Sequence, residues 1–145
     1  DITQSNNVTD LNPYYAKVIG FVDGAGNLVD KPEDEKSYYK LLINVGEKDE
    51  VKTGERILVF ALGQEMVDPE SGDSLGCFEV VRGYGRVVST QSRMSVIESS
   101  RTKTVRFQKA QAINALISGH SVEYGEREEK APFLNAMIGD LVRFI

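Results

Sequence analysis

Apolar and polar positions follow a period of two along most of this chain, the spacing of a half-buried strand. Tyr14 to Val22 is rich in aromatic and β-branched residues and reads as a strand. Asp23-Gly24-Ala25-Gly26-Asn27 is turn chemistry, and Leu28-Val29 begins a return strand. Lys31 to Lys36 is a charged loop. Tyr38 to Val45 places Tyr39, Leu41, Ile43 and Val45 on one face and Lys40 and Asn44 on the other. After a polar loop over Gly46 to Glu55, the strand Arg56 to Leu62 is apolar on both faces from Ile57 onward, so both its sides should be covered.

Asp68-Pro69-Glu70-Ser71-Gly72 supplies the residues of a tight loop: Asp to open it, Pro to preset φ, Gly to accept a positive φ. Phe78 to Thr90 reads as one long strand or two, with Gly83 and Gly85 marking a bulge or a sharp barrel bend. Met94 to Glu98 is a short strand, and Val105 and Phe107 alternate with Thr104 and Arg106 in another. The period then changes. Ala110, Ile113 and Ile117 share a helical stripe, and Gly119 suits the helix C-cap. Residues 121–131 are charged and read as a loop, and Leu141 to Ile145 is the closing strand.

These elements predict a mainly β fold, a small barrel with a short helix inserted before the last strand. Residues 1–12 form a polar lead-in, and 13–145 form one barrel domain with an insertion over 101–131. Ile43, Val59, Phe60 and Phe144 are expected in the core. No repeat of solenoid period is present, but a shorter echo is. Val51-Lys52-Thr53-Gly54-Glu55-Arg56-Ile57 resembles Ala136-Met137-Ile138-Gly139-Asp140-Leu141-Val142, each with Gly and an acid just before a strand. Gly permits a tight turn there, and the acid can accept from nearby backbone N–H groups.

Several words occur in a fixed order: Leu42-Ile43-Asn44-Val45-Gly46, Val51-Lys52-Thr53-Gly54-Glu55, Asp68-Pro69-Glu70-Ser71-Gly72, Leu75-Gly76, then Met94-Ser95-Val96 after a long strand. In this order, Leu42 to Ser99 resembles the C-terminal domain of the flagellar H-ring protein FlgT and related small barrels of bacterial envelope proteins. The resemblance implies a β-barrel that mediates assembly contacts, with no catalytic residues. The chain departs from that pattern in the element at Tyr14–Val29 and in the insertion over 101–131.

Composition narrows the function classes. The longest unbroken apolar run, Ile57 to Leu62, is far short of the roughly 20 residues of a membrane-spanning helix. No basic segment followed by an apolar one marks a signal peptide. The chain opens on Asp1 and reads as a fragment or processed form of a larger bacterial protein of the cytoplasm or periplasm. Cys77 and His120 are the only cysteine and the only histidine. They exclude an intrachain disulfide and a zinc site of usual composition. As a nucleophile–base pair they compete with plainer roles, a buried thiol in a strand and an imidazole at a helix end. Asp68, Glu70 and Asp73 offer oxygen ligands, but the Pro and Gly explain them as a hairpin loop. Gly83-Tyr84-Gly85-Arg86 opens no helix and is no nucleotide fingerprint. Asn7-Val8-Thr9 matches a glycosylation triplet of the kind chance produces. No catalytic, cofactor-binding or metal-binding residues are assigned.

Charge adds one more feature. The whole chain carries −5, yet Arg82, Arg86, Arg93, Arg101, Lys103, Arg106 and Lys109 face a single acid, Glu98, between positions 82 and 109. Tyr84 and Phe107 lie in the same stretch and suit stacking on bases. The expectation is therefore a non-enzymatic module that binds a protein partner or other domains of its own chain. The alternative is a polyanion or nucleic-acid module using Arg82, Arg86, Arg101, Lys103 and Arg106. Acidic neighbours elsewhere in the fold are expected to offset that segment.

Overall fold

The computed structural model describes residues 15–30, 39–109 and 123–145. The chain divides into two compact units, one of residues up to Arg101 together with Pro132–Ile145, the other Thr102–Ala131.

The first unit is a closed barrel of six antiparallel strands. They are β1 (Ala16–Val22), β3 (Lys40–Ile43), β4 (Arg56–Val67), β5 (Ser74–Thr90), β6 (Ser95–Ser99) and β9 (Leu141–Phe144). The order around the barrel is β1-β3-β6-β5-β4-β9, and β9 pairs back onto β1 at Ala16–Val142 and Lys17–Leu141. A two-residue strand, β2 (Leu28–Val29), extends β1 through the Asp23–Asn27 turn. Closure removes the open edges a sheet of this size would otherwise expose.

Alternation along the strands fills the interior with Val18, Leu41, Ile43, Ile57, Val59, Val87, Ile97 and Val142, closed over by Phe133. On the outer side of β4, Leu58 and Phe60 form a second cluster with Leu141, covered by Tyr15. The strand with two apolar faces is thus covered on both. Ile43, Val59 and Phe60 are fully buried, and Phe144 is half-buried against the same core.

The Gly-acid echo belongs to a complete structural repeat. Gly54 and Gly139 both adopt positive φ, +96° and +94°. The Lys52 N–H donates to Glu55 Oε1 at 2.5 Å, and the Met137 N–H donates to Asp140 Oδ2 at 2.8 Å. Gly54 N–H donates to the Val87 carbonyl and Val87 N–H to the Glu55 carbonyl; Gly139, Val18 and Asp140 make the same pair of bonds. The ladders agree as well. The β1–β3 register slips between Val18 and Gly20, and the β5–β6 register slips between Val87 and Ser89. The units β1-β3-β4 and β5-β6-β9 therefore match strand for strand around an approximate two-fold axis. Leu42 pairs with Val96 at one end of that axis, and Leu58 with Arg143 at the other. The words Ala16-Lys17-Val18-Ile19 and Gly85-Arg86-Val87-Val88 carry the repeat in sequence.

The second unit is a two-stranded ribbon, β7 (Thr102–Gln108) with β8 (Tyr124–Lys130). Residues 121–131 were expected as a loop; over Tyr124–Lys130 they form a strand instead. Their own composition is too charged to signal one, and the pairing with β7 decides the matter. Lys103 lies opposite Glu129 and Arg106 opposite Glu126, so the acidic strand complements a basic one. Phe107 lies opposite Gly125, its ring in the space a side chain there would fill.

The helix expected over Ala110–Ile117, with Gly119 and His120, lies outside the described residues, as do the lead-in and the Lys31–Lys36 loop. Among the described residues the one helical turn is a 3-10 turn at Glu47–Asp49, inside the polar loop 46–55.

Candidate interaction surface

The basic residues singled out in the sequence take several different environments. In the barrel unit, Arg82 is the extra residue of a bulge in β5, where the register slips from Val59–Gly83 to Phe60–Val81. Its Nε donates to Asp140 Oδ2 at 3.0 Å, with both side chains largely buried. Arg101 donates to the Pro132 carbonyl, and its side chain lies over Gly83. Arg86 stands between Arg56 and Glu98 across its two ladders. Arg93 lines a shallow groove with Asn44 and Asp49. In the ribbon unit, Lys103 faces Glu129, and Arg106 faces Glu126 while its guanidinium stacks on Tyr124 at 4.4 Å. Lys109 Nζ lies 3.8 Å from Glu123. Strand β8 thus sets acids beside the bases of β7, which lowers the local positive potential.

A different surface stands out on the barrel unit. β9 covers β4 only over Ile57–Phe60, and β6 covers β5 only from Gly85 onward. Beyond those points β4 and β5 pair with each other alone, from Ala61–Val80 to Val67–Ser74, and turn through the Asp68 loop. There the Asp68 N–H donates to the Asp73 carbonyl, and Asp68 Oδ1 accepts from Glu70 N–H, both at 2.8 Å. This arm carries Leu62, Met66, Val67, Leu75 and Phe78, all exposed, Phe78 at 60% and Leu75 at 67%.

The arm has two chemically distinct faces. The pairs Ala61–Val80 and Met66–Gly76, with Phe78 between them on β5, define an apolar face; the Phe78 ring rests beside Gly63. The pairs Leu62–Glu79 and Glu65–Cys77 define the other, which carries the two acids of the arm's strands beside Leu62. Glu79 binds Arg143 through two hydrogen bonds of 3.0 and 3.1 Å, and the Arg143 guanidinium stacks on Phe60 at 4.9 Å. This tie, led by the hydrogen bonds to Glu79, raises the Arg143 pKa and anchors the root of the arm. Where β9 leaves β4, a groove is lined by Leu62, Met137, Ile138 and the Arg82–Asp140 pair, and Met137 and Ile138 are exposed.

Residues 62–79 hold five acids (Glu65, Asp68, Glu70, Asp73, Glu79) and no Lys or Arg. The rest of the chain then has seventeen acids and seventeen bases, so the arm accounts for the entire net charge of −5.

No family model, no curated protein and no solved structure matches this chain.

Cys77 was expected to be buried in its strand; it is half-buried, on the acidic face of the arm. Among the described residues there is no group of three or more His, Cys, Asp or Glu placed to hold a metal, and no helix long and apolar enough to cross a membrane. The sequence reading did not single out the arm. Its signal was present: apolar residues continue on both flanks of the Asp68–Gly72 turn, past the point where the barrel needs them, with acids as their only charges.

Proposed function

We propose that this chain is a non-enzymatic assembly module, a β-barrel that binds another protein, or another domain of its own chain, through its surface. One observation carries the reading: a two-stranded arm projects past the barrel's ladders with five large apolar side chains exposed. A two-stranded ribbon is marginal in water by itself, and clustered exposed apolar residues mark contact sites. The resemblance of Leu42–Ser99 to the C-terminal barrel of the flagellar protein FlgT supports the same reading, because that family implies assembly contacts. A setting within a larger bacterial protein, of the cytoplasm or periplasm, is part of the proposal.

The test replaces residues 63–78 by a short Asn-Gly turn in the protein expressed at native level. The barrel should still unfold cooperatively, since the core lies outside the arm. Co-fractionation of the protein with a larger complex should be lost. Unchanged co-fractionation overturns the reading.

A further inference from the structure

The two faces of the arm specify what can cover it. A strand that pairs along a sheet edge continues the pleat, so its side chains fall alternately on the two faces of that sheet. Beside the flank of β4, one set of positions would lie next to Ala61 and Met66, with the Phe78 and Val80 side chains reaching over Gly63 between them, and the alternate set next to Leu62 and Glu65. The first set calls for apolar side chains and the second for a cation beside Glu65. A second copy of the arm fails the requirement, because it would bring a further five acids into the same interface.

The open edge is equally specific. β9 occupies the flank of β4 as far as Phe60 and stops at Leu141, where the chain turns off through Gly139. Among the described residues nothing pairs with the flank of β4 from Ala61 to Val67. Leu62, Met137 and Ile138 cluster at that junction, so an incoming strand would begin against apolar side chains.

Resting on the assembly-module reading, we propose that the flank of β4 over residues 61–67 is a strand-docking site for a protein segment in which basic and apolar residues alternate. Backbone pairing supplies the fit, the Met66–Phe78 face receives the apolar residues, and Glu65 with the acids of the loop receives the basic ones.

Two short peptides test this on the full chain, one alternating Lys with Val and one alternating Glu with Val. The Lys peptide should bind and should slow amide hydrogen exchange over residues 61–67. Its affinity should fall as salt is raised from about 0.05 to about 0.5 M, because the paired charges are solvent-accessible. Phe78→Ser should weaken binding by about tenfold or more, as loss of a buried aromatic anchor does. Glu65→Gln with Glu70→Gln and Asp73→Asn should remove the salt dependence. Ile19→Ser, an exposed apolar change on β1, should leave binding as it was.

Equal binding of the Glu peptide, protection confined to other strands, dimerisation of the chain through the arm, or no binding of either peptide each overturns the docking proposal. If the peptides fail while arm replacement still abolishes co-fractionation, the module reading stands and only the chemistry of the partner is wrong. If arm replacement leaves co-fractionation intact, the module reading falls whatever the peptides do.

Discussion

The ring of Phe133 occupies the space in which a side chain at Gly85 would have to stand: a Cβ at Gly85 would lie 2.9 Å from Phe133 Cζ. It would also collide with the Glu98 carbonyl on the neighbouring strand, and Gly83 meets the same ring from two residues away. Phe133 is fully buried. The two glycines of β5 thus make the recess that lets the segment before β9 close over the barrel interior.

Gly85→Ala should therefore destabilise the barrel by about 1–3 kcal/mol or more, the scale of an overpacked core. Chemical denaturation with Gly24→Ala as reference measures it, because a Cβ at Gly24 meets nothing within 4 Å. A loss equal to that of Gly24→Ala would show that Phe133 moves aside freely.

The internal repeat makes a paired prediction. Gly54 and Gly139 share one φ and one hydrogen-bond pattern, and a Cβ on either has open space around it. Only the left-handed backbone then opposes a side chain, at about 1–2 kcal/mol. Gly54→Ala and Gly139→Ala should cost similar amounts. Losses that differ severalfold in equilibrium unfolding would argue against equivalent turns.

The pair Arg82–Asp140 joins β5 to the turn before β9, and Asp140 also accepts from the Met137 N–H. Asp140→Ala leaves the Arg82 guanidinium without its partner in a largely buried place and should cost about 3–5 kcal/mol. Replacing both, Arg82→Met with Asp140→Leu, should restore part of that loss, since the unpaired charge is gone. A double variant less stable than the single one would show that the charges themselves hold the turn.

Single-stranded DNA or RNA should bind more weakly than about 100 μM at about 0.15 M salt, the range of ordinary non-specific contact. The reason is the placement of the bases: Arg82 sits on Asp140, and Lys103 and Arg106 lie opposite Glu129 and Glu126. A micromolar affinity that falls linearly with salt on logarithmic axes, and is lost in Arg101→Ala with Arg106→Ala, would favour the polyanion alternative instead.

What the sequence determined by itself was local. Alternation placed Ile43 inside, the two apolar faces of Ile57–Leu62 marked Val59 and Phe60 for burial, and turn residues marked Asp23–Asn27 and Asp68–Gly72. The Gly-acid words preceded β4 and β9. Each of these rests on the period of a strand or on the backbone freedom of a residue, which neighbours in sequence report. Tertiary structure decided everything that depends on a distant partner. Tyr124–Lys130 is a strand because β7 lies beside it with opposite charges. Arg82 is held by an acid 58 positions away. The echo proves to be half of a two-fold barrel only when Val18 and Val87 are seen bonding the two turns alike. Leu75 and Phe78 have the side chains of core residues, yet they stand exposed because β6 and β9 end before reaching them. A strand's own residues set its hydrogen-bonding capacity and its pattern, but the length of its neighbours sets how much of it is covered.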